Sequence, residues 1–225
     1  MDTEFHPIKL NTVCKNIWLF LLPYLVILLA CLIIKTIYSR EQIYFAVNNL
    51  HTGLGDILAP WFTALGNGLA LIALALIVGL YSYRKSFLLL TGYAVTSLTA
   101  QALKFLFDMP RPYLYFHTQL GKIHLVKGVD MLSYHSFPSG HTVTAFSACL
   151  TLAYFIRNKY WGLLLLLLAI LIGYSRMYLS EHFFEDVTAG SVIGVFVTLF
   201  WLYWLDNRPF LHTAGWRRGV LKKAV

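Results

Sequence analysis

Apolar residues run along this chain in stretches too long for the buried stripe of a soluble helix. Six runs, at about 17–38, 64–83, 86–107, 139–157, 160–179 and 187–205, each approach the roughly 20 mostly apolar residues that a helix needs to cross a bilayer. Between the first two the chain is less apolar. There Ile43, Val47 and Leu50 recur at helical spacing, which predicts an interfacial helix within residues 42–63 that leads into the second span. The first run is longer than the apolar region of a cleavable signal peptide and lacks a small-residue cleavage site, so it is expected to remain as the first helix. The pattern predicts an all-α membrane protein, a six transmembrane helix bundle with an interfacial helix between spans 1 and 2. One domain is expected over residues 1–225, with a basic tail at 206–225 and no internal repeat. Gly190 and Gly194 form a GxxxG pair in the last run, read as a place of close helix packing.

Composition agrees with lipid as the solvent. Hydrophobic residues make up 58% of the chain and charged residues only 12%, against roughly 25% charged in soluble domains. The mean hydropathy is +0.65, and one core could not hide apolar surface spread over nearly every segment. The formal charge of +8 raises the question of nucleic acid. The cations, however, punctuate the apolar runs and thicken at Arg208, Arg217, Arg218, Lys222 and Lys223, a pattern of topology and anionic headgroups. No nucleic-acid partner and no obligate protein partner are expected; the bilayer is the partner that composition predicts.

Eleven of the eighteen Lys and Arg fall on the side of the N-terminus, the 84–85 and 157–159 turns and the C-terminal tail. By the positive-inside rule both the N- and C-termini are expected to be cytoplasmic, with the loops around 39–63, 108–138 and 176–186 facing outward. Cys14, Cys31 and Cys149 have no short spacing and are read as small apolar fillers.

Three polar clusters lie at the outward ends of spans. Lys104 is followed seven residues later by Arg111-Pro112; Pro138-Ser139-Gly140-His141 opens the fourth run; Ser175-Arg176 precedes His182 and Asp186. A charge at membrane depth costs roughly 2.5–3.5 kcal/mol on insertion scales, so three cations there ask for an anion. An Arg fork suits a bidentate phosphate contact and a Lys adds a mobile point charge. Ser139 is a suitable N-cap, Gly140 allows close approach to the backbone, and a helix N-terminus attracts anions. His182 and Asp186 are four apart, so on a helix the carboxylate can hold one ring nitrogen and leave the other to attack.

Together these residues fit phosphoryl transfer, with one histidine attacking phosphorus, a second protonating the departing oxygen, and side-chain cations neutralising the phosphate. Neither a metal nor any other cofactor is then required, and there is no HExxH and no Cys/His ligand spacing.

The motifs resemble the signature of the type 2 phosphatidic acid phosphatase (PAP2) family, membrane lipid phosphatases related to vanadium haloperoxidases. That signature is K-x6-RP, PSGH and SR-x5-H-x3-D, matched here at 104–112, 138–141 and 175–186. The resemblance implies that His182 is the nucleophile, Asp186 orients it, and His141 protonates the leaving group. Lys104, Arg111, Ser139, Gly140 and Arg176 would hold the phosphate oxygens. Ser175 belongs to the signature without a separate chemical role.

The expected activity is hydrolysis of a phosphomonoester or diphosphate of a lipid through a phosphohistidine. The expected substrate is of the undecaprenyl diphosphate, phosphatidylglycerophosphate or phosphatidic acid type, at the outer face of a bacterial inner membrane. A lipid A phosphatase or phosphotransferase would use the same motifs. A non-hydrolytic carrier would need the cations but not the His182, His141 and Asp186 trio. Headgroup choice is assigned to the loop 113–137, which carries Tyr113, Tyr115, His117, Lys122, His124, Lys127 and His135.

Overall fold

A computed structural model describes residues 7–221, and among them there is no strand. In chain order the helices are α1 (Leu10–Asn16), α2 (Trp18–Ile37), α3 (Arg40–Asn48), α4 (Gly53–Leu65), α5 (Gly68–Gly79), α6 (Tyr83–Phe107) and α7 (Pro112–Tyr115). They continue with α8 (Gly140–Phe155), α9 (Trp161–Tyr178), α10 (Phe184–Leu205) and α11 (Ala214–Arg217), with short 3₁₀ turns at His117–Lys122 and Pro209–His212. Four segments, α2, the one that begins with α6, α9 and α10, are long and apolar enough to cross a membrane. The pair α4 and α5, bent by 56°, is a fifth if taken as one broken span. The chain is an integral membrane protein.

The bundle is organised around α8, which packs against α9 and α10 on one side and α6 on another. Ten of its sixteen residues are buried, from Thr142 to Ala153. At 1.5 Å per residue it is roughly 24 Å long, shorter than α2, α6, α9 and α10. Its neighbours shield it from lipid, which is why it carries Thr142, Thr144, Ser147 and Thr151. Thr198 of α10 donates to Ser147 at 2.7 Å and Thr151 donates to the Ser147 carbonyl at 2.8 Å, so these hydroxyls are satisfied inside the bundle. The GxxxG pair makes the close contact expected of it. A Cβ on Gly190 would come within 2.8 Å of the Ser139 carbonyl, and one on Gly194 within 2.8 Å of Phe146 Cβ.

By contrast α2 stands at the edge. Leu22, Val26, Leu29, Leu32 and Ile33 are exposed, as befits a helix whose solvent is hydrocarbon.

The structure corrects the region between the first two spans. The single interfacial helix expected over 42–63 is two helices, α3 and α4, separated at Asn49–Thr52. Ser39 and Gln42 form a capping box at the start of α3, and Thr52 caps α4 by accepting from Gly55 N–H at 3.0 Å. The stretch expected as the second span, 64–83, is also not one continuous helix. It breaks at Gly66-Asn67, where Asn67 caps α5 by accepting from Leu69 N–H at 2.9 Å. Gly66 is required there, because a Cβ would meet Ile172 at 2.6 Å and the His141 carbonyl at 3.1 Å. The bend therefore presses the α4–α5 joint onto α8 and α9 beside His141.

Candidate active site

The three sequence clusters converge at one end of the bundle. Ser139 occupies the N-cap position of α8, as expected, but its hydroxyl does not cap. It accepts from the Thr142 hydroxyl at 2.8 Å, while Ser139 N–H donates to the Asp186 carbonyl at 3.0 Å. The first bond of the helix is Val143 N–H to Ser139 carbonyl at 3.0 Å, which leaves the N–H groups of Gly140, His141 and Thr142 ahead of it, aligned with the positive end of the helix dipole. A Cβ on Gly140 would meet only Lys104 Cε, at 3.8 Å, so the glycine keeps open a space between the helix end and the lysine.

The turn from α9 to α10 carries His182. Ser180 adopts the left-handed conformation (φ 56), and the N–H groups of Glu181 and His182 both return to the Arg176 carbonyl, at 3.1 and 3.2 Å. That backbone costs on the order of 1–3 kcal/mol for a non-glycine residue. It is held by α3, where Tyr44 OH lies 2.8 Å and Asn48 Nδ2 3.2 Å from the Ser180 hydroxyl. The other non-glycine residues of positive φ among the described residues, Asp108 and His135, lie at the same end. Backbone strain is thus gathered around the site.

The expectation that His182 and Asp186 share a helical face is corrected: His182 lies in the turn before α10, two residues ahead of its first residue, and the pair is close without a hydrogen bond, with Nδ1 and Oδ2 3.5 Å apart. Oδ2 instead accepts from Phe183 N–H at 2.9 Å and from the Ser136 hydroxyl at 2.5 Å. His182 Nδ1 is buried without a partner, and the ring is 1% exposed. Burial, and next the Arg111 and Arg176 guanidiniums, hold its pKa well below the usual histidine range, so the ring is neutral at physiological pH. A neutral imidazole has the lone pair that a nucleophile needs.

Each of the three cations is anchored. Lys104 Nζ donates to the His135 carbonyl at 2.5 Å, and Arg111 Nε to the Tyr134 carbonyl at 3.0 Å. Arg176 Nη1 donates to Thr63 Oγ1 at 2.5 Å. The expectation of cations awaiting only an external anion is corrected by Glu181. Its carboxylate Oε2 pairs with Arg111 Nη1 and lies 3.3 Å from Arg176 Nη2. Glu181 sits among the unspecified positions of SR-x5-H, and nothing in its spacing marks it.

Ser136, Thr63, Tyr44 and Asn48 are likewise absent from the sequence-based set, and only a folded chain brings them here. The loop assigned to headgroup choice has a contact that assignment did not foresee: its Tyr134 and His135 carbonyls hold two of the cations. Ser175 donates to the Ile172 carbonyl at 2.7 Å and stays within its helix.

A cavity of about 240 Å³ reaches Lys104, Gly140 and His141 from the side of Gly66, Asn67, Tyr93 and Gln101. His141 therefore borders open space, while His182 lies deeper.

Known proteins resemble this chain in sequence and fold. The protein named "Probable lipid phosphate phosphatase 4" of Arabidopsis thaliana is 29% identical over 163 residues, covering 58% of this chain; the chain spans only 53% of that relative. The crystal structure of Aquifex aeolicus LpxE superposes with a TM-score of 0.64 at 29% identity, covering 72% of this chain and 93% of that one. A second crystal structure is of the transmembrane PAP2 type phosphatidylglycerolphosphate phosphatase from Bacillus subtilis. It superposes with a TM-score of 0.60 at 26% identity, covering 88% of this chain and 99% of that one. Residues 85–210, more than half of the chain and all three motif clusters, match the PAP2 superfamily, and the chain belongs to that family.

Proposed function

We propose that the protein is a hydrolase of lipid phosphates that works through a phosphohistidine on His182. The observation that carries this reading is the convergence of two histidines, three cations and the uncapped start of α8 at one end of the bundle. These groups come from α6, α8, α9 and the stretches beside them. Lys104, Arg111, Arg176, the Ser139 hydroxyl, which accepts from Thr142 and keeps its own proton to donate, and the open N–H of Gly140 hold the phosphate oxygens. With Nδ1 turned toward Asp186, His182 attacks through Nε2; the bond from phosphorus to the lipid oxygen breaks, and His141 gives that oxygen its proton. Water then attacks phosphorus, the P–N bond breaks, and the water's proton returns to His141 as inorganic phosphate leaves. The 3.5 Å separation of His182 and Asp186 shortens when the imidazole gains charge, as catalytic hydrogen bonds commonly do on the way to the transition state.

The reading includes topology. The spans are α2, the bent α4–α5 pair, α6, α8, α9 and α10, six in all, within one domain. Both termini are cytoplasmic, and the site faces outward in a cell membrane of bacterial type. The substrate is a lipid monophosphate or diphosphate such as phosphatidylglycerophosphate, phosphatidic acid or undecaprenyl diphosphate.

The test is phosphate release by the protein purified in detergent, on a panel of these lipids and lipid A, with and without EDTA. Release that survives EDTA and is lost in His182→Ala is the expected result. Loss of activity with EDTA overturns the metal-free route, and full activity in His182→Ala overturns the nucleophile.

A further inference from the structure

We infer that Glu181 is a positioning residue that joins Arg111 and Arg176 into a preformed phosphate clamp set in register with His182. The inference rests on the phosphatase reading and adds a residue to it. Arg111 follows α6 and Arg176 ends α9, 65 positions apart in the chain, and both side chains are 8% exposed. Two guanidiniums brought together in such a place repel each other strongly, because the surroundings screen poorly. A shared carboxylate removes the repulsion.

The geometry is that of a brace. Glu181 is 4% exposed, and its carbonyl as well as its Oε2 accepts from Arg111 Nη1. The same Oε2 lies 3.3 Å from Arg176 Nη2. Each guanidinium is tied on a further side, Arg111 to the Tyr134 carbonyl and Arg176 to Thr63. Neither is used up. Arg111 Nη2 takes part in none of these bonds, and Arg176 Nε is buried with no hydrogen-bond partner, an expensive arrangement unless a ligand completes it.

Glu181 is also the residue directly before His182, and the N–H groups of both return to the Arg176 carbonyl. One turn, held by Tyr44 and Asn48 through the Ser180 hydroxyl, fixes the carboxylate and the imidazole together. A shift in the clamp is thereby a shift relative to the attacking nitrogen. Displacements on the order of 1 Å at such a place can cost about 100-fold in rate.

The experiment compares wild type, Glu181→Gln and Glu181→Asp in detergent. It measures thermal stabilisation by inorganic phosphate and by orthovanadate, together with kcat and KM on a lipid phosphate that wild type hydrolyses. Glu181→Gln keeps the shape and removes the charge. It is expected to weaken phosphate and vanadate binding about tenfold and to lower kcat/KM about 100-fold. Glu181→Asp, which keeps the charge, should recover part of both losses. A Glu181→Gln protein that is less heat-stable but binds phosphate and vanadate as wild type does shows a role in folding alone and overturns the inference. If Glu181→Gln does not fold, Glu181→Asp decides, since phosphate affinity and kcat/KM equal to wild type overturn the inference equally. If wild type releases phosphate from no lipid, the hydrolase reading fails. The clamp is then still judged by phosphate stabilisation and its dependence on Glu181.

Discussion

Among the histidine–aspartate pairs at this end of the protein, His124–Asp56 and His182–Asp186 make an instructive contrast, because the better hydrogen-bonded of the two is not the one to which the proposed chemistry falls. His124 Nε2 lies 2.9 Å from Asp56 Oδ1, its ring stacks on His51 with centroids 4.1 Å apart, and both members of the pair are about a quarter exposed or more. His182 and Asp186 are 3.5 Å apart and almost wholly buried. The outer pair fastens the loop after α7 to α4, helped by Tyr178, whose hydroxyl donates to Asp56 at 2.7 Å. The inner pair faces Arg111, Arg176, Lys104 and the open start of α8. A short His–Asp contact is a good strut; in the proposed mechanism reactivity belongs to the neutral, buried ring set among cations.

The sharpest way to break this comparison is to remove both histidines in turn. His182→Ala is expected to lower kcat by on the order of 10⁴-fold or more, as loss of a nucleophile does, whereas His124→Ala should leave turnover within about threefold of wild type. Comparable losses in the two variants, measured as phosphate release from a lipid phosphate, would undo the distinction. Next in size are the partners of the inner ring. His141→Ala should cost about 10²–10⁴-fold, the usual worth of a general acid, with a smaller loss on substrates whose leaving group needs no proton. Asp186→Asn should fall in a similar range, because the amide no longer stabilises the positive ring.

Ser136→Ala removes one hydrogen bond from Asp186. At about 1 kcal/mol it should cost about fivefold in kcat/KM and leave KM nearly unchanged. The smallest effect is on stability. The folded-state pKa of His182 is depressed, so as pH falls through the unfolded value of about 6.5 the unfolded chain takes up a proton that the folded one refuses. Stability is therefore expected to decline between pH 7 and 5. The decline should be shallower in His182→Ala, whatever that variant's stability at pH 7, when thermal midpoints are compared across pH.

Much of the site is legible from residue order because its spacings are local. The four-residue step from His182 to Asp186 keeps the two within one turn at the start of α10, and Pro138-Ser139-Gly140 ends a loop and begins α8 whatever surrounds it. Less was legible where partners are remote. The interfacial stretch reads as one helix, because Ile43, Val47 and Leu50 recur in register. The break at Asn49–Thr52 is decided instead by the Thr52 cap and by Tyr178, whose hydroxyl accepts from Thr52 N–H at 3.0 Å. That break frees α3 to reach Ser180.

The sequence by itself determined the lipid solvent, the approximate extents of the long helices and the residue types that gather at one end. Each of these follows from hydrophobic runs, helical periodicity or spacing within a turn. Only the tertiary structure decided that Ser139 does not cap its helix, that Tyr134 and His135 hold two cations by their carbonyls, and that Glu181 joins two arginines. Those contacts join segments tens of residues apart, and buried charges and polar groups take partners according to which side chains packing brings within reach.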